Sequence, residues 1–442
     1  MKVAIIGAGL RTPLLVHGLA RARAPLTVEE LVLFDRDTAR ADLMATLGRE
    51  VARDSGMRIR SAQGIEEAVE DCAFVVSSIR PGGMEARARD ERIALKHGFA
   101  GQETTGPGGL AMALRTIPIA IEHARLVESR APRAWIVNFT NPAGMVTQAI
   151  STHTGARVVG ICDTPAELFF RIELALGEPH PDIECIYFGL NHLGWVSSVL
   201  CRGNEMIDLL LDDDARLSGL YPSTLFGPEL IRSMRLIPTE YLFFYYCKDR
   251  AWRNQMAAGA TRGEELLRLN ETLLADLATM IRNSETGAAV EIYKSYLNRR
   301  NASYLRLEGQ AESAFSQPDH DWNPFEGATG YHRIAVDVMR GLCGVDSKPI
   351  VLNVSNQGAV AGLEPEDVVE IPCVLDRSGP RPLTVGTLPD GVRGLVNSVK
   401  TYERVAIRAA LEQSTRLATL ALTLNPIVGD WDRASKLLHD QI

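Results

Sequence analysis

Two adjacent residues at the end of an apolar segment have side chains that could do chemistry. Cys162 and Asp163 follow residues 157–161, which are typical of a short buried strand. A helix over residues 166–176 is predicted directly after them. Ligands of open α/β sheets bind at the carboxyl ends of strands, and a helix N-terminus there favours a thiolate, which is a good metal ligand. The alternative is that Cys162 is a small core residue and Asp163 only caps the helix.

A histidine and a tyrosine further along the chain are weaker candidates. His192 lies in residues 185–196, which predict a strand, a bend and a second strand. A single histidine in an apolar setting is more often structural than a ligand. Tyr241 belongs to the aromatic run 238–246, and such a run is more often core than catalytic. Neither residue indicates a function by itself.

Polar segments follow two other predicted elements. Residues 101–109 form a glycine-rich loop with too few apolar residues for a core position, so we expect it to contact a ligand. A plain surface loop is the alternative. Asn141 follows the strand 134–137, and its amide could donate to and accept from a sugar hydroxyl. Its alternative role is to cap the helix 143–153, with Pro142 in the first turn.

The first 35 residues contain the pattern of a dinucleotide-binding βαβ unit. A strand over residues 2–6 meets Gly7, which permits a tight turn, and Gly9, which lets a pyrophosphate approach the backbone. Thr12 stands where the third glycine is usual. Asp35 ends the second strand and can accept hydrogen bonds from ribose hydroxyls, which favours NAD over NADP. The alternative is an ordinary turn with a surface Asp35.

Arginines recur in residues 80–92, directly after the buried strand 74–79. Arg80 and Arg87 could bind phosphate through their fork-shaped sets of donors, and we count Arg80 among the cofactor-binding residues. Taken alone, the segment is more typical of a solvated helix face on which Arg and Glu pair three or four residues apart.

Composition narrows the class of protein. The 442 residues can bury a large core and we expect two domains. The seven cysteines are irregularly spaced, which indicates reduced thiols in a cytoplasm. No apolar run is long enough to span a bilayer, and a start directly in a strand indicates no signal peptide. The net charge of −8 argues against a nucleic-acid partner, whereas an anionic small molecule would need a local basic pocket.

The order of predicted elements places the candidate residues at sheet edges. Strands and helices alternate up to about residue 177, which predicts an α/β fold with parallel strands. The later elements differ in kind: helices over 228–303, antiparallel strands over 351–374, and amphipathic helices over 396–424 and 434–441.

Seven segments, in this order along the chain, carry a resemblance to a known family. They are Gly7-Ala8-Gly9, 101–109 (Gly-Gln-Glu-Thr-Thr-Gly-Pro-Gly-Gly), 138–144 (Asn-Phe-Thr-Asn-Pro-Ala-Gly), 160–165 (Gly-Ile-Cys-Asp-Thr-Pro), 189–192 (Gly-Leu-Asn-His), 261–264 (Thr-Arg-Gly-Glu) and 353–359 (Asn-Val-Ser-Asn-Gln-Gly-Ala). With them the chain resembles glycoside hydrolase family four over nearly its whole length, and within it the bacterial 6-phospho-β-glucosidases. This NAD-dependent family does not use two-carboxylate hydrolysis.

The resemblance implies a fold, cofactors and partners. The fold is a Rossmann-type domain similar to that of lactate and malate dehydrogenases, over residues 1–166, followed by a mixed α+β domain over residues 167–442. The cofactors are NAD and a divalent metal, usually Mn²⁺. The partners are a small phosphorylated glycoside and further copies of the chain in a homodimer or homotetramer.

The resemblance also implies a role for the residue at each matching position. Cys162 and His192 match the metal ligands, Arg87 and Asn141 match substrate contacts, Arg262 is added as a phosphate contact, Tyr241 matches the general base, and Asp163 matches the acid of the 6-phospho-α-glucosidases.

The chemistry that the resemblance implies is an oxidation and elimination cycle. NAD⁺ takes a hydride from C3, Tyr241 removes the acidified C2 proton, the aglycone leaves, water adds, and the hydride returns. Many β-specific members have Asn where this chain has Asp163, which leaves the anomer open. A 6-phospho-α-glucosidase, a simple NAD-dependent sugar or hydroxyacid dehydrogenase, and a sensor without turnover remain alternatives. Residues 326–333 match no family motif, and a plain surface loop is favoured over a pocket role for them.

Overall fold

Two β-sheets carry the residues introduced above. The computed structural model describes residues 1–177, 182–221, 225–305, 307, 323–327, 329–345 and 348–441. The strands are β1 (Lys2–Ile6), β2 (Glu30–Phe34), β3 (Arg58–Ser61), β4 (Phe74–Ser77), β5 (Trp135–Asn138), β6 (Arg157–Gly160), β7 (Ile183–Leu190), β8 (Leu193–Cys201), β9 (Asn204–Glu205), β10 (Ile237–Pro238), β11 (Ile350–Ser355), β12 (Val368–Asp376) and β13 (Gly379–Pro382).

Helices cover the larger sheet and build most of the second half of the chain. They are α1 (Thr12–Ala20), α2 (Thr38–Val51), α3 (Ile65–Val69), α4 (Gly83–Lys96), α5 (Gly106–Arg130), α6 (Ala143–His153), α7 (Thr164–Ala175), α8 (Ile207–Leu211), α9 (Asp214–Gly219), α10 (Pro228–Met234), a 3₁₀ turn (Glu240–Leu242), α11 (Phe243–Tyr246), α12 (Lys248–Ala258), α13 (Arg262–Arg282), α14 (Thr286–Ala302), α15 (Tyr331–Leu342), α16 (Asp390–Glu412), α17 (Thr415–Leu424) and α18 (Trp431–Gln441). No helix within the described ranges could cross a membrane.

The first six strands form the parallel sheet that the sequence predicts. Their order is β3-β2-β1-β4-β5-β6, with parallel pairing throughout. This is the order of a doubly wound dinucleotide fold. The strands are apolar along their whole length, as in Val3–Ile6 and Phe74–Val76, because helices bury both faces of the sheet. The predicted α/β fold with a Rossmann-type sheet is therefore confirmed.

Three strands from the last quarter of the chain extend this sheet. β11 pairs antiparallel with β6, and β12 and β13 continue the sheet outward. Asn353 faces Gly160 in that pairing. A Cβ on Gly160 would overlap the hydroxyl of Thr147 and lie 2.8 Å from the Cβ of Asn353. This close packing explains why residue 160, two positions before Cys162, is a glycine. The division of the chain at residue 166 stays a prediction.

The second sheet holds the turn that carries His192. β7 and β8 form an antiparallel hairpin whose last pairs are Gly189 with Gly194 and Leu190 with Leu193. His192 has φ of 60°, so the turn holds this histidine in the left-handed region. β10 pairs with β8 on its other side. The chain then enters the 3₁₀ turn that contains Tyr241.

Residues 326–327 and 329–330 form a loop, as we favoured for the segment 326–333, but the last three residues of that segment belong to a helix. Tyr331 begins α15, and its ring packs on the edge of Phe139, with centroids 3.9 Å apart. His332 is 6% exposed. Ala328 lies outside the described residues. The error for Tyr331 has a tertiary cause, because Phe139, on which its ring packs, lies almost 200 residues earlier in the chain.

Candidate functional site

Tyr241 and His192 are packed face to face. Their ring centroids are 3.8 Å apart and the ring planes differ by 10°. Each ring comes from a rigid position: His192 from the β7–β8 turn and Tyr241 from the turn after β10. The backbone N–H of Thr239 donates to the carbonyl of Gly194 over 2.9 Å, which ties the two segments together. The sequence left two interpretations of the aromatic run, a core role and a catalytic role. For Tyr241, a position in the candidate site fits better than a position in the core alone.

The glycine-rich loop sets the tautomer of His192. The Thr104 hydroxyl donates to Gln102 Oε1 over 2.7 Å, and Thr104 Oγ1 lies 2.7 Å from His192 Nδ1. Because the hydroxyl proton goes to Gln102, the imidazole must donate from Nδ1, and its Nε2 keeps a lone pair. Burial lowers the pKa of His192 to about 4, so the ring is neutral near pH 7. The loop thus contacts a candidate metal ligand, and its contact with a bound ligand stays a prediction.

Cys162 and Asp163 lie where β6 ends and α7 begins. Cys162 is 4% exposed, and burial raises the pKa of its thiol well above the ordinary value, with Glu370 and Asp163 acting in the same direction. Asp163 occupies the N-cap position of α7, but its side chain makes no capping hydrogen bond. Burial raises the pKa of Asp163, while the guanidinium of Arg11 opposes that effect. The capping interpretation of Asp163 is therefore wrong.

Cys162 and His192 are a suitable pair of donors for a divalent ion. His192 stacks on Tyr241, and the charge of a Cys162 thiolate would act on the same phenol, so the fold brings the two residues to one place. In the described ranges no cluster of three or more His, Cys, Asp or Glu could hold a metal. An ion held by these two residues would therefore keep positions open for other ligands, as catalytic sites do.

Glu103 holds two of the predicted arginines together. Arg87 Nη1 lies 2.9 Å and Arg80 Nη1 lies 2.5 Å from Glu103 Oε2. Arg87 also donates to Glu91 over 2.7 Å. Burial would raise the pKa of Glu103, but Arg80 and Arg87 lower it to about 2. Arg87 is 7% exposed, so its pairing with Glu91 is not part of a solvated helix face, and that interpretation of Arg87 is wrong.

The remaining substrate candidates differ in how they are held. Asn141 precedes α6, whose N-cap is Pro142 and has no side-chain capping bond, so the capping alternative for Asn141 does not hold. Arg262 begins α13 and donates to Ser303 Oγ over 2.5 Å and to the Arg300 carbonyl over 2.8 Å. These bonds tie Arg262 to the end of α14, and they compete with a role as a phosphate contact.

The dinucleotide candidates lie at the ends of β1 and β2. Gly7 has φ of 86°, and a Cβ there would overlap the carbonyl oxygen of Ser78, whereas a Cβ on Gly9 would only touch the carbonyl oxygen of Gly7, at 4.0 Å. Asp35 directly follows β2. Its Oδ1 accepts from Arg40 Nη2 over 2.7 Å and from the N–H of Asp37 over 3.0 Å. These bonds fix the carboxylate at the strand end, in the position predicted for it.

Four residues of the site were not singled out from the sequence. Glu103 and Thr104 lie inside the loop that was expected to contact a ligand. Their polar side chains in that loop could have identified them as candidates. Glu240 precedes Tyr241 and is 3% exposed. The hydroxyl of Tyr304 lies 3.3 Å from that of Tyr241, and no local pattern in the sequence marks Tyr304.

The first conclusion from the fold and the site concerns the class of protein. A lactate dehydrogenase, MGS-M5, from a Medee basin deep-sea metagenome library superposes with a TM-score of 0.53 at 15% identity, over 93% of this chain and 98% of that chain. The likeness shows the shared fold. The molecule is an α/β protein with a dinucleotide fold, and its candidate site includes residues from both halves of the chain.

The second conclusion concerns the family. The model of family 4 glycosyl hydrolases matches residues 2–178, and that of the family 4 C-terminal domain matches residues 187–428. The chain belongs to the family 4 glycosyl hydrolases and is a hydrolase, as the resemblance implied.

Two relatives show how far the similarity extends. A probable 6-phospho-β-glucosidase of Bacillus subtilis is 31% identical over 100% of this chain and 96% of its own length. The structure of the 6-phospho-β-glucosidase of Thermotoga maritima with manganese, NAD⁺ and glucose 6-phosphate has a TM-score of 0.81 and 27% identity, over 100% of this chain and 97% of that chain. The similarity therefore covers both halves of this chain.

Proposed function

We propose that this hydrolase cleaves 6-phospho-β-glucosides with the help of NAD and a divalent metal. The observation that carries the proposal is the arrangement around Tyr241: His192 stacks on its ring, and Cys162 and Glu103 act electrostatically on its phenol. A candidate base therefore lies beside both metal-ligand candidates. The Thermotoga maritima structure supports the choice of cofactors, and the Bacillus subtilis relative supports the β anomer.

The residues present fit both cofactors. Cys162 and His192 would hold the metal, which is Mn²⁺ in the proposal. Gly7, Gly9 and Asp35 would hold the dinucleotide, with Arg80 near its phosphates. When bound, NAD⁺ supplies a hydride acceptor for C3 of the sugar, and the metal supplies a Lewis acid for the oxygens at C2 and C3.

The side chains around Tyr241 bind the sugar and move its proton. Arg87 and Asn141 are proposed to bind the phosphorylated sugar, with Arg262 as a further phosphate contact. Tyr241 is proposed to remove the proton at C2 of the oxidised sugar, after which the aglycone leaves, water adds, and the hydride taken from C3 returns to C3. Asp163 is proposed as the acid for the leaving group, because burial raises its pKa.

Burial alone works against the proposed base. It raises the pKa of Tyr241 well above 10, and Glu240 adds to that effect. The Tyr304 hydroxyl lowers the pKa of Tyr241, and the phenol also lies close enough to Arg87 to interact with its charge. A phenolate would therefore form only when positive charge is present in the site. This requirement ties proton removal to the presence of the metal ion and of NAD⁺.

The experiment that tests the proposal uses a pair of anomers. The full-length protein is incubated with NAD⁺ and Mn²⁺ and with the α- or β-nitrophenyl glucoside 6-phosphate, while nitrophenol and NADH absorbance are followed together. We expect nitrophenol from the β anomer and no accumulation of NADH. Cleavage of the α anomer alone would assign α specificity. NADH accumulation without nitrophenol would indicate a dehydrogenase, and stabilisation without any turnover would indicate a sensor.

Three further predictions remain part of the proposal. Residues 1–166 are proposed to bind NAD, and residues 167–442 to supply the substrate site and the oligomer contacts. The dimer or tetramer is measurable by light scattering on the purified protein. The cytoplasmic location is measurable by fractionation of the source cells.

A further inference from the structure

The hydroxyl of Tyr304 lies between Glu240 and Tyr241. It is 3.0 Å from Glu240 Oε1 and 3.3 Å from the Tyr241 hydroxyl. Tyr304 follows the end of α14, whereas the other two residues occupy the 3₁₀ turn after β10. A residue more than sixty positions away in sequence therefore makes the hydrogen bond to the proposed base.

Glu240 is an unusual anchor for such a contact. It is 3% exposed, and among the residues that the structure describes it forms no ion pair. Arg171, which acts on it electrostatically, is paired instead with Glu167 over 2.9 Å. A buried carboxyl group costs free energy unless it is hydrogen-bonded. The hydrogen bond with Tyr304 therefore offsets part of the cost of burying this carboxyl group next to the candidate base.

The protonation state of Glu240 determines which hydroxyl donates in the contact between Tyr304 and Tyr241. Tyr304 has one O–H, which it donates to Glu240 when that group is a carboxylate, and its oxygen can then accept from Tyr241. When Glu240 carries a proton, it can donate to Tyr304, and Tyr304 then donates to the Tyr241 oxygen. In both arrangements the Tyr241 hydroxyl is held on the Tyr304 side, so at least one lone pair points elsewhere.

The ring of Tyr241 is held by a separate contact. His192 covers one face of the phenol, which restrains the plane of the ring but not the direction of its O–H. The stacking and the Tyr304 contact are therefore complementary: the first fixes the ring, and the second fixes the hydroxyl. General base catalysis depends on such alignment at the proton that is removed.

We propose that Tyr304, anchored by Glu240, is a positioning residue that aligns the Tyr241 hydroxyl for proton removal from the substrate. This inference rests on the proposed function, in which Tyr241 is the general base. It adds two residues that act through Tyr241 and need not contact the sugar.

The first test is Tyr304→Phe, assayed with NAD⁺, Mn²⁺ and β-nitrophenyl glucoside 6-phosphate, with hydrogen or deuterium at C2. A hydrogen bond to a group that becomes charged contributes about 10- to 100-fold to a rate. We expect kcat to fall by at least about 10-fold and KM to change by less than about 2-fold. The C2-deuterium isotope effect should increase, because proton removal becomes slower relative to the other steps.

Tyr296→Phe is the matched control. Tyr296 lies on α14, is 2% exposed, and donates to Asn270 Oδ1 over 2.8 Å. The substitution also deletes a buried tyrosine hydroxyl, but one that does not contact Tyr241. We expect an unchanged isotope effect and a kcat within about 2-fold of wild type. Equal losses of kcat in the two variants would overturn the proposal.

Two substitutions of Glu240 keep the proposal falsifiable if Tyr304→Phe folds poorly. Glu240→Gln keeps an oxygen that can accept from Tyr304, so kcat should stay within about 3-fold of wild type. Glu240→Leu removes the anchor while burying an apolar side chain, so we expect the loss of kcat seen in Tyr304→Phe without a loss of stability. The double variant Tyr304→Phe/Glu240→Leu should lose no more than either single variant.

The outcomes separate this inference from the proposed function. Wild-type kcat and isotope effect in Tyr304→Phe, a change confined to KM, or additive losses in the double variant would overturn the positioning role of Tyr304 and leave the proposed function intact. Wild-type kcat in Tyr241→Phe would contradict Tyr241 as the base, and the positioning role with it.

Discussion

The imidazole of His192 lies parallel to the phenol of Tyr241, with 3.8 Å between the ring centroids. One ring belongs to the candidate metal ligand and the other to the candidate base, so the two groups form one packed unit. Neither can shift without disturbing the other, because interiors are close-packed. The contact therefore couples the position of a metal to the position of the group that is proposed to move the proton.

Substitutions of Tyr241 should separate its ring from its hydroxyl. Tyr241→Phe keeps the stacked ring, so we expect manganese to bind within about 2-fold of the wild-type affinity while hydrolysis falls by at least about 100-fold. Tyr241→Ala removes the ring as well, and we expect weaker manganese binding together with the loss of hydrolysis. Manganese titration followed by electron paramagnetic resonance measures the first property, and nitrophenol release measures the second.

Equal manganese affinities in Tyr241→Phe and Tyr241→Ala would show that the ring does not help to hold His192. A thermal unfolding curve of each variant is the control, because Ala at a packed position leaves a cavity and lowers stability by about 2–4 kcal/mol. Affinities are therefore compared at a temperature well below both unfolding midpoints.

The hydroxyl of Thr104 should matter for metal binding although it is not a ligand. Thr104→Val keeps the shape but removes the acceptor that receives His192 Nδ1–H, so the imidazole is free to place its lone pair on either nitrogen. Loss of such a partner typically lowers metal affinity about 10- to 100-fold. Manganese titration of Thr104→Val measures the effect. Thr104→Ser, which keeps the hydroxyl, should retain most of the affinity; an equal loss in both variants would contradict the assignment.

Some of the site was predictable because its signals are local. Gly7 and Asp35 follow directly from the strand, turn, helix and strand order at the start of the chain. Cys162 and Asp163 were expected at the carboxyl end of a strand, and β6 ends two residues before Cys162. In these cases the neighbouring residues determine both the element and its end, so a pattern in the sequence is enough.

Other parts depend on contacts between distant segments and could not be predicted. Tyr304 reaches Tyr241 across 63 residues, and Tyr331 packs on Phe139 across almost 200. The antiparallel pairing of Asn353 with Gly160 joins the last quarter of the chain to the first sheet. Arg87 looked like part of a solvated helix face because its buried partner Glu103 lies outside the helix.

Alanine substitutions of Gly7 and Gly9, in the first glycine turn, should have different effects. Gly7→Ala places a Cβ on the carbonyl of Ser78 at a φ of 86°, so we expect a loss of about 2 kcal/mol or more in the free energy of unfolding. Gly9→Ala has room for its Cβ, so stability should change by less than about 1 kcal/mol while NAD affinity falls. Urea unfolding and NAD titration measure the two properties. A Gly9→Ala variant that binds NAD normally would contradict the proposed pyrophosphate contact.

Glu240 should make the protein less stable as the pH rises from about 4.5 to about 7. Burial raises the pKa of Glu240 from 4.5 to about 7, although the charge of Arg171 opposes the increase. The other titratable groups that face this carboxyl group are Tyr304, Glu167, Tyr187, Tyr221 and Tyr241. Between these two pKa values the folded chain binds more protons than the unfolded chain, so stability falls as the pH increases. The complete loss amounts to about 3 kcal/mol.

Glu240→Gln removes this titration and keeps the volume of the side chain. We therefore expect the variant to gain stability relative to wild type as the pH is raised from about 5 to about 8, with little difference at the acid end. Urea midpoints at both pH values measure the gain. The proposed positioning role requires that hydrolysis persist in this variant, so greater stability above neutrality and retained activity should occur together. A pH dependence of stability identical to that of wild type would show that Glu240 is already ionised below pH 5 in the folded chain.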